Sequence, residues 1–215
     1  MDLLPEKIID YCERYSKVYD NEILKDIERR TNLNVLQPQM LSGYLQGQFL
    51  SMISKMLSPE NILEIGSFTG YSAICLAQGL SESGKLITIE VNEELENTIR
   101  SNIRSANLES KIELKIGDAS KIIQSYDFQF DLIFIDADKT NYPLYYEMCL
   151  PKLKTGGIML VDNMLWSGKV LDEPIKDKKT LAIHQLNQKI QSDDRVENIL
   201  LPLRDGIMWL RKVKN

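Results

Sequence analysis

The chain reads as an α/β protein: a Rossmann-like sandwich on a mostly parallel seven-stranded sheet with one antiparallel strand, plus N-terminal helices. Three features carry that reading. From Asn61 onward, short β-branched apolar runs alternate with helical stretches, the pattern of a parallel sheet covered by helices. Many of the runs stop at an acid, namely Glu90, Asp136 and Asp162, and ligands of open parallel sheets gather at the carboxyl ends of strands. Finally, the last two runs are joined only by Pro202-Leu203-Arg204-Asp205, too short for a parallel crossover, so that pair is antiparallel.

Taken in order, residues 1 to about 57 form a helical N-terminal cap. Pro5 to Tyr19 places Ile8, Ile9, Cys12, Tyr15 and Tyr19 three and four apart, and Asn21 to Thr31 repeats the pattern with Ile23, Leu24 and Ile27. Pro38 opens a third helix running through Met40, Leu41, Leu45, Phe49 and Ile53 to Leu57. Its small residues Ser42, Gly43 and Gly47 permit close packing. Residues 58–215 form the Rossmann-like core of the same single domain, 1–215. Its strands are expected at 61–66, 85–91, 111–116, 131–136, 157–162, 195–201 and 206–213, and its helices near 70–81, 93–107, 119–124, 140–151 and 178–192. A loop over 164–177 carries Trp166, Gly168 and Pro174.

Composition narrows the function classes. The 215 residues are 43% hydrophobic and 27% charged, ordinary for a globular protein that needs no membrane. Net charge is −5, with the cations scattered, which weighs against a large nucleic-acid footprint. Cys12, Cys75 and Cys149 are widely spaced, and Cys75 and Cys149 lie in apolar helical stretches, so they read as buried thiols of a reducing compartment. With neither a secretory signal nor a run approaching a membrane span in view, the expected location is cytoplasmic.

Glu64-Ile65-Gly66-Ser67-Phe68-Thr69-Gly70-Tyr71-Ser72 reads as a strand, a glycine turn and a helix start. It is not GxGxxG, and the Glu64 carboxylate ahead of the helix would repel a pyrophosphate. An adenosine bearing a positive sulfonium and an amino-acid tail suits that charge better. Glu90 ends the next strand, 24 positions after Gly66, where an acid accepts hydrogen bonds from ribose hydroxyls. Gly117-Asp118-Ala119 closes the third strand, where an acid and backbone can read an adenine amino group. The bland alternative is a pair of turn glycines and a surface acid.

Asp136, Asp162 and Asn163 end two further runs, Asp131 to Asp136 and Gly157 to Asn163. Two carboxylates and an amide oxygen are hard donors that suit magnesium, manganese or calcium rather than zinc. The only histidine, His184, reads as a packing or surface residue. Three protein donors on an octahedral cation leave room for two vicinal substrate hydroxyls and a water. Trp166, three residues beyond Asn163, reads either as an aromatic wall for a planar acceptor or as a core residue. Tyr142, Tyr145 and Tyr146 read as core or contact residues.

The succession E-I-G-S-F-T-G-Y-S, I-E, G-D-A, F-I-D-A-D-K, V-D-N and L-W-S-G-K-V resembles the cation-dependent O-methyltransferases, the caffeoyl-coenzyme A and catechol group with its bacterial relatives. The resemblance runs from about Leu36 to Lys212, including the closing Leu201-Pro202-Leu203-Arg204-Asp205-Gly206, and the first fifty or so residues do not match it clearly. It implies a methyltransferase with S-adenosylmethionine as methyl donor, held by Met40, Glu64, Gly66, Ser67, Ser72, Glu90, Asp118, Ala119, Asp136 and Asp138. It implies a divalent cation on Asp136, Asp162 and Asn163, with Asp136 and Lys139 in the catalytic set and Lys139 as base. It also implies a homodimer. A free lysine titrates near 10.4; a cation beside Lys139 would favour proton loss, while Asp136 and Asp138 oppose it.

The expected acceptor is a small molecule with catechol-type hydroxyls. A close rival keeps the chemistry and methylates a hydroxylated wobble uridine in tRNA, with Arg29, Arg30, Lys169 and Lys176 to Lys179 meeting phosphates. A nicotinamide-dependent oxidoreductase is disfavoured by the missing middle glycine. A non-catalytic S-adenosylmethionine-binding module is hard to square with the intact D-A-D-K and D-N pair.

Overall fold

A computed structural model describes residues 5–16 and 22–215, so Tyr19 and Asn21 of the two expected cap helices lie outside the described residues. Helices α1 (Glu6–Tyr15), α2 (Glu22–Asn34) and α3 (Gly43–Leu57) precede β1 (Asn61–Ile65), α4 (Tyr71–Ala77), β2 (Lys85–Glu90), α5 (Glu96–Ser105) and β3 (Ile112–Ile116). Then follow α6 (Ala119–Ile122), β4 (Phe130–Ile135), α7 (Tyr142–Cys149), β5 (Leu153–Val161), α8 (Lys178–Gln191), β6 (Val196–Leu201) and β7 (Ile207–Lys212). The seven strands form one sheet in the order β3-β2-β1-β4-β5-β7-β6. Only β7 is reversed, pairing antiparallel with β5 and with β6, as the short connection over 202–206 before it requires. The chain divides into two compact units, one ending at Asp118 and one from Ala119 to Asn215.

In the unit ending at Asp118, β1, β2 and β3 pair in parallel, with Glu64 opposite Thr88 and Glu90 opposite Ile116. Ile62, Leu63, Ile65, Leu86 and Ile89 are buried, the near-continuous apolar run of strands covered on both faces. Every residue of α4 is buried. Helix α3 packs on it through Gly47, where an added Cβ would sit 2.7 Å from the Tyr71 ring and 3.0 Å from the Cys75 sulfur. The third cap helix does not run unbroken from Pro38. Pro38–Met40 is a single 3₁₀ turn, Leu41 is extended, and the α-helix begins at Gly43 with φ +71°. Proline starts a turn readily, but the turn ends at Leu41, which is extended and buried. The amphipathic α1 keeps Ile8, Tyr11 and Tyr15 exposed.

In the second unit β4 and β5 are parallel, with Ile133 opposite Met159 and Ile135 opposite Val161. β5 starts at Leu153 rather than Gly157, because Leu153 already pairs with Phe130 across a register shift. Gly156, at φ +87°, takes up that irregularity and breaks the apolar run that marks the strand in the sequence. Phe130, Phe134, Tyr142 and Tyr146 are among its fully buried side chains. Cys75 and Cys149 are buried free thiols, and burial pushes the Cys149 thiol up to about 12. No helix among the described residues is long and apolar enough to cross a membrane.

Candidate functional site

The glycine turn after β1 is built by three left-handed residues, Gly66 at φ +97°, Phe68 at φ +51° and Gly70 at φ +82°. Glu90 ties it to the end of β2. Its Oε2 accepts the Phe68 amide at 2.8 Å and its Oε1 the Asn92 amide at 2.9 Å. The Gly66 amide donates to the Ile89 carbonyl at 2.9 Å and the Gly117 amide to the Glu90 carbonyl at 2.8 Å, so the three strand ends are laced together. Glu64 is fully buried and accepts a hydrogen bond from the hydroxyl of Thr88, its register partner. The Ser67 hydroxyl is buried with no hydrogen-bond partner among the described residues. Ser72 is buried at the start of α4, while Asp118 stands exposed after β3. Two cap elements reach the turn or lie upstream of it: the Thr31 hydroxyl meets that of Thr69 at 3.2 Å, and Met40 is exposed on the 3₁₀ turn.

In the second unit, Asp136 and Asp162 each follow a residue of the Ile135–Val161 register pair, and the Asp162 amide donates to the Ile135 carbonyl at 3.0 Å. Two acidic residues thus stand at the ends of adjacent strands, which lie about 4.8 Å apart, with Asp162 buried. Lys139 answers that charge. Its Nζ donates to Asp136 Oδ1 at 2.8 Å and to the Tyr142 hydroxyl at 2.7 Å. Burial works against the ammonium, but Asp136, Tyr142 and Asp162 outweigh it and hold Lys139 above the ordinary lysine range. The Trp166 ring centroid is 6.0 Å from the same nitrogen. Asn163, at φ +59°, donates its amide N–H to Asp162 Oδ1 at 2.7 Å. The donors are two carboxylates and a carboxamide, and no group of three His, Cys, Asp or Glu gathers for a metal among the described residues.

The sequence profile of the family described as O-methyltransferase matches residues 14–213. The chain belongs to the O-methyltransferase family. The match takes in α2 and α3 of the cap and only the last two residues of α1, more than the motifs alone indicate. Among its relatives, caffeoyl-CoA O-methyltransferase 2 of Populus trichocarpa is 36% identical over 181 residues, 79% of this chain and 73% of that protein. Caffeoyl-CoA O-methyltransferase of Stellaria longipes is 33% identical over 205 residues, 90% and 85% of the two chains. The crystal structure of the O-methyltransferase from Bacillus cereus in complex with SAH superposes with a TM-score of 0.88 at 32% identity, covering 96% of this chain and 97% of that one.

Within this O-methyltransferase, the expected residues fall into two groups. Glu64, Gly66, Ser67, Ser72, Glu90 and Asp118 cluster along the strand ends of the first unit, with Ala119 opening the second. Asp136, Lys139, Asp162 and Asn163 come together in the second. Asp138 caps the 3₁₀ turn 139–141: its Oδ1 accepts the Asn141 amide at 3.2 Å and its Oδ2 the Tyr145 hydroxyl at 2.9 Å. His184 lies half-buried on α8. Two residues of the site escape a sequence reading. Tyr142 is a core residue by burial, yet its hydroxyl holds Lys139. Asp205, buried in the β6–β7 connection, accepts the Asn163 side-chain amide at 3.3 Å and the Ser167 backbone amide. Asp205 lies in the closing Leu201 to Gly206 segment of the resemblance, but no role attaches to it there, and an acid before a glycine in a tight hairpin is a signal any turn would share.

Proposed function

We propose that this O-methyltransferase uses S-adenosylmethionine and a divalent cation, magnesium for preference, to methylate one hydroxyl of a vicinal, catechol-type pair on a small molecule. The observation that carries the proposal is the pair of carboxylates at successive strand ends, Asp136 and Asp162, with Lys139 bonded to one of them. Relatives named for caffeoyl-CoA support such an acceptor, since a caffeoyl group carries two adjacent hydroxyls. A net charge of −5 supports a small molecule over tRNA.

Glu64, Gly66, Ser67, Ser72, Glu90, Asp118 and Ala119 would hold the donor. Each Glu90 oxygen spends one lone pair on a backbone amide and keeps another for a ribose hydroxyl. The buried Ser67 hydroxyl is a polar atom whose partner a bound donor would supply. S-adenosylmethionine contributes the electrophilic sulfonium methyl. Asp136, Asp162 and the Asn163 side-chain oxygen suit a hard cation, which contributes Lewis acidity, lowering a hydroxyl's pKa and fixing its orientation. Lys139 spends two of its three N–H groups on Asp136 and Tyr142. The third would hydrogen-bond the acceptor oxygen, whose proton would pass to bulk water because an ammonium held above the ordinary lysine range cannot take it. Lys139 would thus orient the oxygen rather than act as its base, and the Trp166 face would back a planar ring.

Methyl transfer to a catechol, a hydroxycinnamoyl thioester and a hydroxyuridine-bearing tRNA, with and without Mg2+, tests the proposal. Activity on the small acceptors should vanish with EDTA. It should fall by more than about 100-fold in Asp136→Ala, the several kcal/mol that a Lewis acid contributes, with SAH binding kept. Turnover that survives both EDTA and Asp136→Ala would overturn the metal-assisted reading, and transfer to the tRNA alone would overturn the acceptor.

A further inference from the structure

We infer that Asp205 is a positioning residue, which sets cation affinity by deciding which end of the Asn163 side chain faces the metal, resting on the divalent-cation reading of Asp136 and Asp162. A carboxamide has an oxygen and a nitrogen of nearly the same shape, and only the oxygen can ligate a hard cation. Nothing within Asn163 selects between them. A partner that can only accept hydrogen bonds does so, and an ionised carboxylate is such a partner.

Asp205 supplies it from 42 positions away, its Oδ2 lying 3.3 Å from the Asn163 Nδ2. The oxygen Oδ1 of Asn163 is thereby turned away from Asp205. The carboxylate is itself held. Its Oδ1 accepts the Ser167 amide, and its main chain meets the same loop, the Leu165 amide donating to the Asp205 carbonyl and the Met164 amide to the Gly206 carbonyl, each at 2.9 Å. Asp205 is 4% exposed, so water offers little competition for the Asn163 nitrogen. Asp205 thus acts through Asn163, whose side-chain nitrogen it holds. Hydrogen-bond partners of metal ligands have this orienting role generally, and losing one costs about 10- to 100-fold in metal affinity.

Asp205→Asn offers one acceptor and one donor to two N–H groups. When its nitrogen faces residue 163, the Asn163 amide turns over and presents nitrogen to the cation. The exchanged pair, Asp205→Asn with Asn163→Asp, restores the match: the amide at 205 donates, and the carboxylate at 163 keeps an oxygen for the metal. The experiment is Mn2+ binding to the full chain by electron paramagnetic resonance, with thermal midpoints recorded for each variant. Asp205→Asn should bind Mn2+ about 10- to 100-fold more weakly than wild type, and the exchanged pair should recover most of that loss at an unchanged midpoint. Wild-type affinity in Asp205→Asn, or an exchanged pair no better than the single variant, would overturn the role of Asp205 alone. A wild-type chain that binds no Mn2+ overturns the cation reading and this role with it. If Asp205→Asn does not fold, the exchanged pair carries the comparison with wild type, and a folded pair that binds Mn2+ more than tenfold more weakly overturns the role.

Discussion

Glu90 carries two jobs that separate experimentally. Its carboxylate closes the glycine turn by accepting the Phe68 and Asn92 amides, and it is the proposed acceptor for the donor's ribose. Leaving two partly buried amides without partners costs on the order of 2 kcal/mol. Glu90→Ala should therefore lower the urea midpoint without ligand and, beyond that, weaken SAH binding measured by calorimetry. A variant with wild-type stability and wild-type SAH affinity would show that neither bond matters. The sequence shows the position of Glu90 at a strand end, and hence its reach toward a ligand. It does not show the two amides, because the turn that presents them takes its shape partly from a non-glycine residue, Phe68, at φ +51°. Asp205 is invisible for a similar reason: its partner Asn163 is close only once β7 lies beside β5.

The elements explain where the rest of the site was legible. Runs of buried apolar residues mark β1, β2, β4 and β5, the last three ending in acids, because strands covered on both faces lose their polar alternation. What interrupts such a run is backbone geometry, as at Gly156 and at the break between Met40 and Gly43, and composition does not encode it. Gly79 is an example with a measurable consequence. A Cβ there would overlap the backbone of Ser54 and Lys55, which cannot swing aside as a side chain does. Gly79→Ala should cost about 3 kcal/mol or more, whereas Gly47→Ala meets a tyrosine edge and a thiol and should cost less. Chemical denaturation of both variants checks the ranking, and an equal cost would argue against rigid helix packing. The end of α8 offers a pH test. Arg195 hydrogen-bonds Asp193 and, against the opposing effect of burial and with help from the Tyr146 hydroxyl, holds its carboxyl well below the usual range. A carboxyl depressed on folding stabilises the protein above its unfolded value near 3.9 and loses that contribution as pH falls through the folded one. Asp193→Asn should thus be less stable than wild type by about 2 kcal/mol at pH 7, and the gap should narrow below about pH 4. A gap independent of pH would assign the loss to packing.

At the scale of the molecule, the proposed chemistry is divided along the chain: donor residues lie almost wholly in the unit ending at Asp118, cation residues wholly in the one that follows. Each group is anchored by bonds of its own unit, Glu90 to Phe68 and Asn92 in the first, Lys139 to Asp136 and Asp205 to Asn163 in the second. Ligand binding stabilises whatever it orders, by about 2.7 kcal/mol at a hundredfold excess over the dissociation constant. Amide hydrogen exchange reads that stabilisation segment by segment. SAH alone should slow exchange at residues 66–72, 90–92 and 117–119, and Mn2+ alone at 136–141 and 162–167. The two patterns should be disjoint, since these anchoring bonds are not shared between the two groups. In Asp205→Asn the Mn2+ pattern should fade at 162–167 while the SAH pattern stays whole, because the Asn163 loop loses its acceptor and the glycine turn keeps Glu90. Protection by Mn2+ at the glycine turn, or by SAH confined to 162–167, would contradict this division of labour between the two groups of residues.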